Sequence, residues 1–207
     1  MKKYICLSFD DGPNLGDDNT MSKMLDILEK HNVVASFFLI GNKITKENSS
    51  VIKRAFKMGC DIQNHSWSHP AMTNCTCEQI KEEYEKTDEA IISITGEKPQ
   101  FFRPPFIAVK DEMYEVIKTP FICGYGCEDW VENVSSEERV RRLLDGAKDG
   151  LIFLLHVMEG NVATLEAVDK IIPILKSQDY EFVNLPELFK IKGINPNKEK
   201  SLWTLVN

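Results

Sequence analysis

The sequence is poor in histidine, in long apolar runs and in clustered positive charge, and each scarcity excludes something. No stretch approaches the ~18–20 apolar residues needed to cross a bilayer. Met1-Lys2-Lys3 leads directly into a short apolar segment, without the long apolar core and small-residue cleavage site of a secretory leader. As written the chain reads as cytoplasmic, or as secreted if it has been trimmed. Lys and Arg total 25 against 32 Asp and Glu, a net charge of -7 with no basic run; nucleic acid and anionic membrane surfaces are disfavoured partners. Six cysteines are present, but Cys6 and Cys123 sit in apolar segments where a reduced core thiol is usual. Cys75-Thr76-Cys77 has one intervening residue and no second pair nearby, a poor structural zinc pattern. Unpaired thiols in a reducing setting are expected. Neither repeat nor linker interrupts the 207 residues, which are 43% hydrophobic. One monomeric domain over residues 1–207 is expected, with a sizeable core and a loosely packed tail from about Asn195.

What is there is an alternation of apolar strand-like runs with amphipathic segments. Residues 4–9 read as a strand and residues 20–31 as a helix, with Met21, Met24, Leu25 and Leu28 on one face and Asn32 as its stop. Residues 33–40 form a continuous apolar run ended by Gly41, as expected of a strand covered on both faces. Helices are expected at 49–58, 77–95, 136–148 and 164–177, and further strands at 61–65, 101–102, 121–125, 151–155 and 182–183. Alternation of this kind predicts an α/β fold of parallel strands with helical crossovers.

Three of the four histidines and a pair of aspartates fall just beyond such strands, where α/β folds collect ligands and catalytic groups. Asp10 and Asp11 are adjacent at a strand end, so their side chains should point different ways, one toward a metal and one toward substrate. Asp-Asp-Gly-Pro is also a good turn string. His65 and His69 are four residues apart and share a face if the segment is helical; with one carboxylate they make a site that leaves coordination positions open for water. His156 closes a strongly apolar strand, and its ordinary pKa suits proton donation, although a lone histidine in that position is more often a core residue. Arg103 precedes two stiffening prolines that could aim it inward at a carboxylate; a solvated arginine is the bland alternative. Asp129-Trp130 reads either as an acid beside an aromatic wall or as a packed tryptophan with an exposed neighbour. His31, at a helix C-terminus, reads as a surface residue.

In this order, Ser8-Phe9-Asp10-Asp11-Gly12-Pro13, His65-Ser66-Trp67-Ser68-His69, Arg103-Pro104-Pro105-Phe106, Asp129-Trp130 and Leu154-Leu155-His156 resemble the polysaccharide deacetylase family, the NodB-like carbohydrate esterases, over roughly residues 3–192. The resemblance implies a distorted, incomplete (β/α) barrel that removes acetyl groups from carbohydrate with one divalent metal ion, zinc or cobalt. It implies Asp11, His65 and His69 as metal ligands, Asp10 as general base, His156 as general acid and Arg103 as the tether of Asp10. The backbone N–H of Phe106 would help hold the oxyanion, and Trp130 with Leu154 would enclose the acetyl methyl. Two positions depart from the family pattern, which often has aspartate where this chain has Gly126 and Val157. A carboxylate that would tune His156 is therefore missing unless Asp129 or Glu128 supplies it. A weakened acid favours the better, alkoxide leaving group. The expected substrate is thus an O-acetyl ester of xylan or xylooligosaccharides, as in the acetylxylan esterase branch. An N-deacetylase of N-acetylglucosamine polymers, peptidoglycan or chitin-like, is the alternative. A catalytically silent carbohydrate-binding module is the reading from another class, and Asp10 with His156 argues against it.

Overall fold

The computed structural model describes residues 2–14 and 19–207. It begins with β1 (Lys3–Gly12), α1 (Thr20–Lys30), β2 (Ser36–Leu39), α2 (Ser49–Lys57) and β3 (Asp61–Asn64). The long α3 (Cys77–Thr95) follows, started by a capping box between Thr76 and Gln79 and stopped at left-handed Gly96, as such side chains and a terminal glycine favour. Next come α4 (Asp111–Val116), β4 (Phe121–Ile122), β5 (Tyr125–Gly126), α5 (Ser136–Gly146), β6 (Ile152–His156) and α6 (Val162–Ser177). The chain ends through β7 (Tyr180–Phe182), α7 (Leu185–Lys192) and β8 (Leu202–Trp203).

The main sheet runs β3-β2-β1-β6-β5, with β7 added beside β1, and every one of these strand pairs is parallel. Beyond β3, Phe102 bridges first to Asn64 and then to Phe121 of β4, which itself pairs with β8. The strands thus curve into an incomplete α/β barrel, one side of which is built from single bridges and two-residue strands. Alternation along β1 separates two environments. Ile5, Leu7 and Phe9 join the largest apolar cluster with Met21, Met24, Leu25 and Leu28 of α1, while Cys6 joins the smaller interior cluster of Phe38, Phe101, Ile122 and Ile152. Burial of each such large side chain is worth roughly 1.5–3 kcal/mol.

Four expectations need correction. The tail is not loose at its end: Cys123 N–H donates to Trp203 O at 2.8 Å and Ile152 N–H to Thr204 O at 3.1 Å, and Val206 is fully buried. The final strand therefore lies across the seam between β4 and β6. Two short helices, α4 and α7, went unrecognised. For α7 the signals were present: Asn184 caps it by accepting from Glu187 N–H, a proline opens its first turn and Gly193 ends it in the left-handed region, a known asymmetry of helix ends. His31 is no bland surface residue, because its Nε2 lies 2.6 Å from Asp169 Oδ1 and ties α1 to α6. Residues 65–69 are not helical either, as their geometry makes plain below. All six cysteines are unpaired, and no helix among the described residues is long and apolar enough to cross a membrane.

Candidate active site

Two strands carry the site by register alone. Asp10 of β1 pairs directly with His156 of β6, so both side chains emerge on the same barrel-facing parity as Ser8 and Leu154 one step below. Asp10 is 2% exposed. Adjacent Asp11 would ordinarily face the other way. Instead the β1–β2 register shifts between Phe9 and Gly12 and Asp11 takes φ +71°, an irregularity that re-aims a side chain. Both carboxylates consequently reach His65: Asp10 Oδ2 and Asp11 Oδ1 each lie 3.7 Å from its Nε2.

The histidine pair is gathered by a loop, not by a helix turn. After β3, Ser66 and His69 both adopt left-handed φ, +65° and +57°, which brings the two imidazoles to 4.9 Å between ring centroids. Asn64 anchors the loop by accepting from Ser66 N–H at 2.8 Å and donating to Asp88 of α3 at 2.8 Å. Gly41 permits the close approach behind it, since a Cβ there would fall 2.5 Å from the Trp67 ring. His65 Nδ1 lies 2.7 Å from the Arg103 carbonyl oxygen, which fixes that nitrogen as the donor and leaves the Nε2 lone pair facing Asp11. Burial drives the His65 pKa down to about 3, against the attraction of Asp11, so the ring is the neutral species a metal requires. One donor atom from each of Asp11, His65 and His69 falls within 4.8 Å of the others. Asp11 Oδ1 is buried without a hydrogen-bond partner, a costly arrangement unless something outside the protein satisfies it. A carboxylate oxygen and two imidazole nitrogens suit a divalent ion, so the trio fits a divalent metal centre.

Arg103 is the largest fully buried side chain among the described residues; of its two sequence readings, the inward one holds. Its guanidinium donates to Asp10 Oδ1 at 2.6 Å and to Ser8 Oγ at 2.7 Å, with the Phe38 ring 4.1 Å beneath. Burial pushes the Asp10 carboxyl up from its ordinary range, while the Arg103 charge, then His156, pull it back.

On the far side of the cavity, His156 Nδ1 lies 2.8 Å from Asp129 Oδ1, and His156 N–H donates to Asp129 Oδ2 at 2.7 Å. The carboxylate expected to be missing is therefore present, reaching His156 from Asp129, 1% exposed. Neither Gly126 nor Val157 leaves the imidazole unpartnered, and Glu128 pairs instead with Arg142. Burial alone would lower the His156 pKa; the Asp129 hydrogen bond and charge, with Asp10 and Asp11 behind, outweigh it and raise the value to about 9. Nε2 is left toward the cavity.

That cavity holds about 540 Å³ and is lined by Asp10, Asp11, His65, His69 and His156 together with Phe106, Ile107, Cys123, Trp130 and Leu154. Leu154 is 6% exposed, whereas Phe106 and Trp130 are 67% and 53% exposed on opposite rims. The Phe106 ring packs edge-on to His69 at 4.6 Å and the Trp130 ring edge-on to His156 at 5.5 Å. All the expected site residues are thus brought together. Ser8, under Arg103, and Asn161 and Thr164, around Asp129, had gone unnoticed. Ser8 was legible in principle, being two residues before Asp10 and therefore on its face; Asn161 and Thr164 offered only a helix start.

Comparison with known proteins agrees with the motifs. Residues 1–120 match the family model for polysaccharide deacetylase, and the chain belongs to that family. It is 44% identical over 205 residues to a bifunctional xylanase/deacetylase of Pseudobutyrivibrio xylanivorans, covering 99% of this chain and 33% of that protein. It is 35% identical over 188 residues to the peptidoglycan-N-acetylglucosamine deacetylase PgdA of Listeria monocytogenes, covering 90% of this chain and 39% of that one. The chain thus spans little more than a third of the length of these relatives. A family 4 acetyl xylan esterase from Clostridium thermocellum, solved in complex with a cobalt ion, superimposes with a TM-score of 0.94 at 36% identity, over 99% of each chain.

Proposed function

We propose that residues 1–207 form the catalytic domain of a metal-dependent carbohydrate deacetylase that hydrolyses O-acetyl esters of xylan or xylooligosaccharides. One observation carries the reading: a set of metal-ligand atoms, an arginine-held carboxylate and an aspartate-held imidazole face a single cavity. Asp11, His65 and His69 would hold one divalent ion, zinc or cobalt, which when bound supplies Lewis acidity toward a water and the acetyl carbonyl. Asp10, fixed by Arg103, takes a proton from the attacking water as the oxygen joins the carbonyl carbon. The Phe106 N–H, on a turn where that residue has φ +58°, donates to the developing oxyanion. His156 then gives its Nε2 proton to the departing sugar oxygen, so that acetate and a free hydroxyl result. Asp129 holds the imidazole in that orientation and balances its charge. Leu154 and Trp130 enclose the acetyl methyl.

Xylan esters are favoured by the relatives that act beside xylanases or on acetyl xylan, the first of them more alike than the peptidoglycan deacetylase. The weakened acid that first pointed to esters is not a support, given Asp129. That same partner favours a second reading, N-deacetylation, because a protonated His156 can serve an amine leaving group, which demands more from the acid. Six unpaired thiols support a reducing, cytoplasmic setting, where a monomer would meet imported oligosaccharides. Acetate release should be measured after metal reconstitution, on acetylated xylooligosaccharides, chitooligosaccharides and peptidoglycan fragments. The highest kcat/KM is expected on the ester. Equal or greater efficiency on an N-acetyl substrate would transfer the assignment to the second reading, and no release from any would leave only a binding module.

A further inference from the structure

Arg139 of α5 is 2% exposed, yet its guanidinium meets only neutral oxygens among the described residues. Nε donates to Val134 O at 2.9 Å and one terminal nitrogen to Val131 O at 3.2 Å. The other terminal nitrogen donates to Asn161 Oδ1 at 2.5 Å and Thr164 Oγ1 at 2.8 Å. A buried cation without an ionic partner is expensive, and packing alone would be served by an apolar residue. The acceptors show what the charge accomplishes. Thr164 Oγ1, accepting from Arg139, has its one proton left for Asp129 Oδ2, 3.0 Å away. Asn161, with Oδ1 taken by Arg139, must present its amide nitrogen to the backbone oxygens of Asp129 and His156, at 3.2 and 3.1 Å. Without the guanidinium, the hydroxyl could rotate and the amide could flip. Asp129 Oδ2 would keep the His156 backbone N–H but lose the Thr164 hydroxyl, the one side-chain donor that fixes the carboxylate plane from the α6 side and leaves Oδ1 for the His156 ring.

We propose that Arg139 is a positioning residue for the acid: by imposing donor and acceptor direction on Thr164 and Asn161, it fixes the Asp129 carboxylate against His156. Arg139 does not line the cavity. Its backbone contacts to Val131 and Val134 also brace the segment that follows Trp130, so one side chain from α5 locks the rim, the start of α6 and the end of β6 together. The inference rests on the assignment of His156 as the acid.

The test compares Thr164→Val, Thr164→Ser, Arg139→Met and Arg139→Lys with the natural protein. Metal content, kcat and KM for acetate release from acetylated xylooligosaccharides, and the NMR signal of the His156 Nδ1 proton are the readouts. Residues that orient a working group typically matter by about 10–100-fold, so kcat should fall about 10-fold in Thr164→Val and about 100-fold in Arg139→Met. KM should stay within about twofold, the pattern of an interaction lost only at the transition state, and metal content should be unchanged. Thr164→Ser should restore kcat and Arg139→Lys part of it, while the Nδ1 proton signal, sharp in the natural protein, should broaden in Val and Met. Natural kcat with a sharp signal in Thr164→Val would overturn the proposal, as would a loss that serine fails to rescue. Should Arg139→Met not fold, the Thr164 pair decides. Should the natural protein release no acetate at all, the deacetylase reading falls while the NMR comparison still decides the network.

Discussion

The two halves of the site are built on opposite principles. The proposed acid half is set mainly by regular structure: His156 closes an in-register parallel strand opposite Asp10, and only its partner Asp129 comes from a turn, after left-handed Glu128 (φ +60°), held by side chains from the start of α6. The proposed metal half departs from regular structure at or beside each of its donors. Asp11 sits at a register shift with φ +71°, His69 has φ +57°, and His65 precedes Ser66 at φ +65°. Three donors from two strand ends cannot meet at one point while each strand keeps its two-residue alternation, so the backbone must break that alternation where they converge. Proton transfer needs only two groups facing each other across a cleft, and paired strands supply this directly.

If that contrast is right, the metal half should fail all at once and the acid half by degrees. The largest effect is expected from His69→Ala. Two remaining protein ligands rarely retain a divalent ion against buffer, so elemental analysis should find the variant metal-free and acetate release below detection; a chelator should do the same to the natural protein. Full metal occupancy in His69→Ala would remove the residue from the centre.

Next in size, Asp10→Asn and His156→Ala should each lower kcat by about 10²–10⁴-fold, the usual worth of general acid–base catalysis, with metal retained. Metal content measured on the same samples separates the halves. Loss of metal in His156→Ala would show that the two sides are not independent.

A graded effect is expected from pH. The His156 pKa is raised to about 9, since the Asp129 hydrogen bond and charge overcome burial. Protonated acid is therefore present below that value, and kcat/KM should fall as pH rises through it. Asp129→Asn removes the raising influence while burial remains, so the alkaline limb should move to lower pH. An unmoved limb would assign that ionisation to another group. For folding, the sign is the same: a raised histidine pKa adds stability that is complete below the ordinary value near 6.5 and is lost as pH climbs through about 9.

The smallest effect tests the idea that Gly126 leaves a gap in the acid apparatus. A Cβ at Gly126 would meet the Trp130 ring at 3.3 Å, and His156 Nδ1 is already engaged by Asp129. Gly126→Asp should therefore leave the ratio of amide to ester hydrolysis unchanged within about twofold while modestly raising KM by crowding the tryptophan. A selective gain in chitooligosaccharide deacetylation would reinstate the missing-carboxylate view.

Much of this molecule is written in local pattern. The apolar run of residues 4–9, buried on both faces of β1, and the helical spacing in residues 20–31 determine β1 and α1, because exclusion of apolar surface from water rewards those patterns in any fold. The strand-end placement of Asp10, Asp11, His65 and His156 likewise identified the residue types available for chemistry before any of them was seen to meet. Other features belonged to the tertiary structure. The inward course of Arg103, 93 residues from Asp10, depends on a barrel interior that only the assembled strands create. The sequence offered Asp129 and Glu128 as alternative partners of His156 without choosing; only the assembled turn, held by α6, brings Asp129 to the ring and leaves Glu128 to Arg142. Nor could the spacing of His65 and His69 show that a loop with left-handed residues, not a helix, brings their rings together. Sequence periodicity encodes which face of an element is buried, a local free-energy preference; the direction of a side chain at a turn, and the charge it meets there, is settled by packing among segments far apart in the chain.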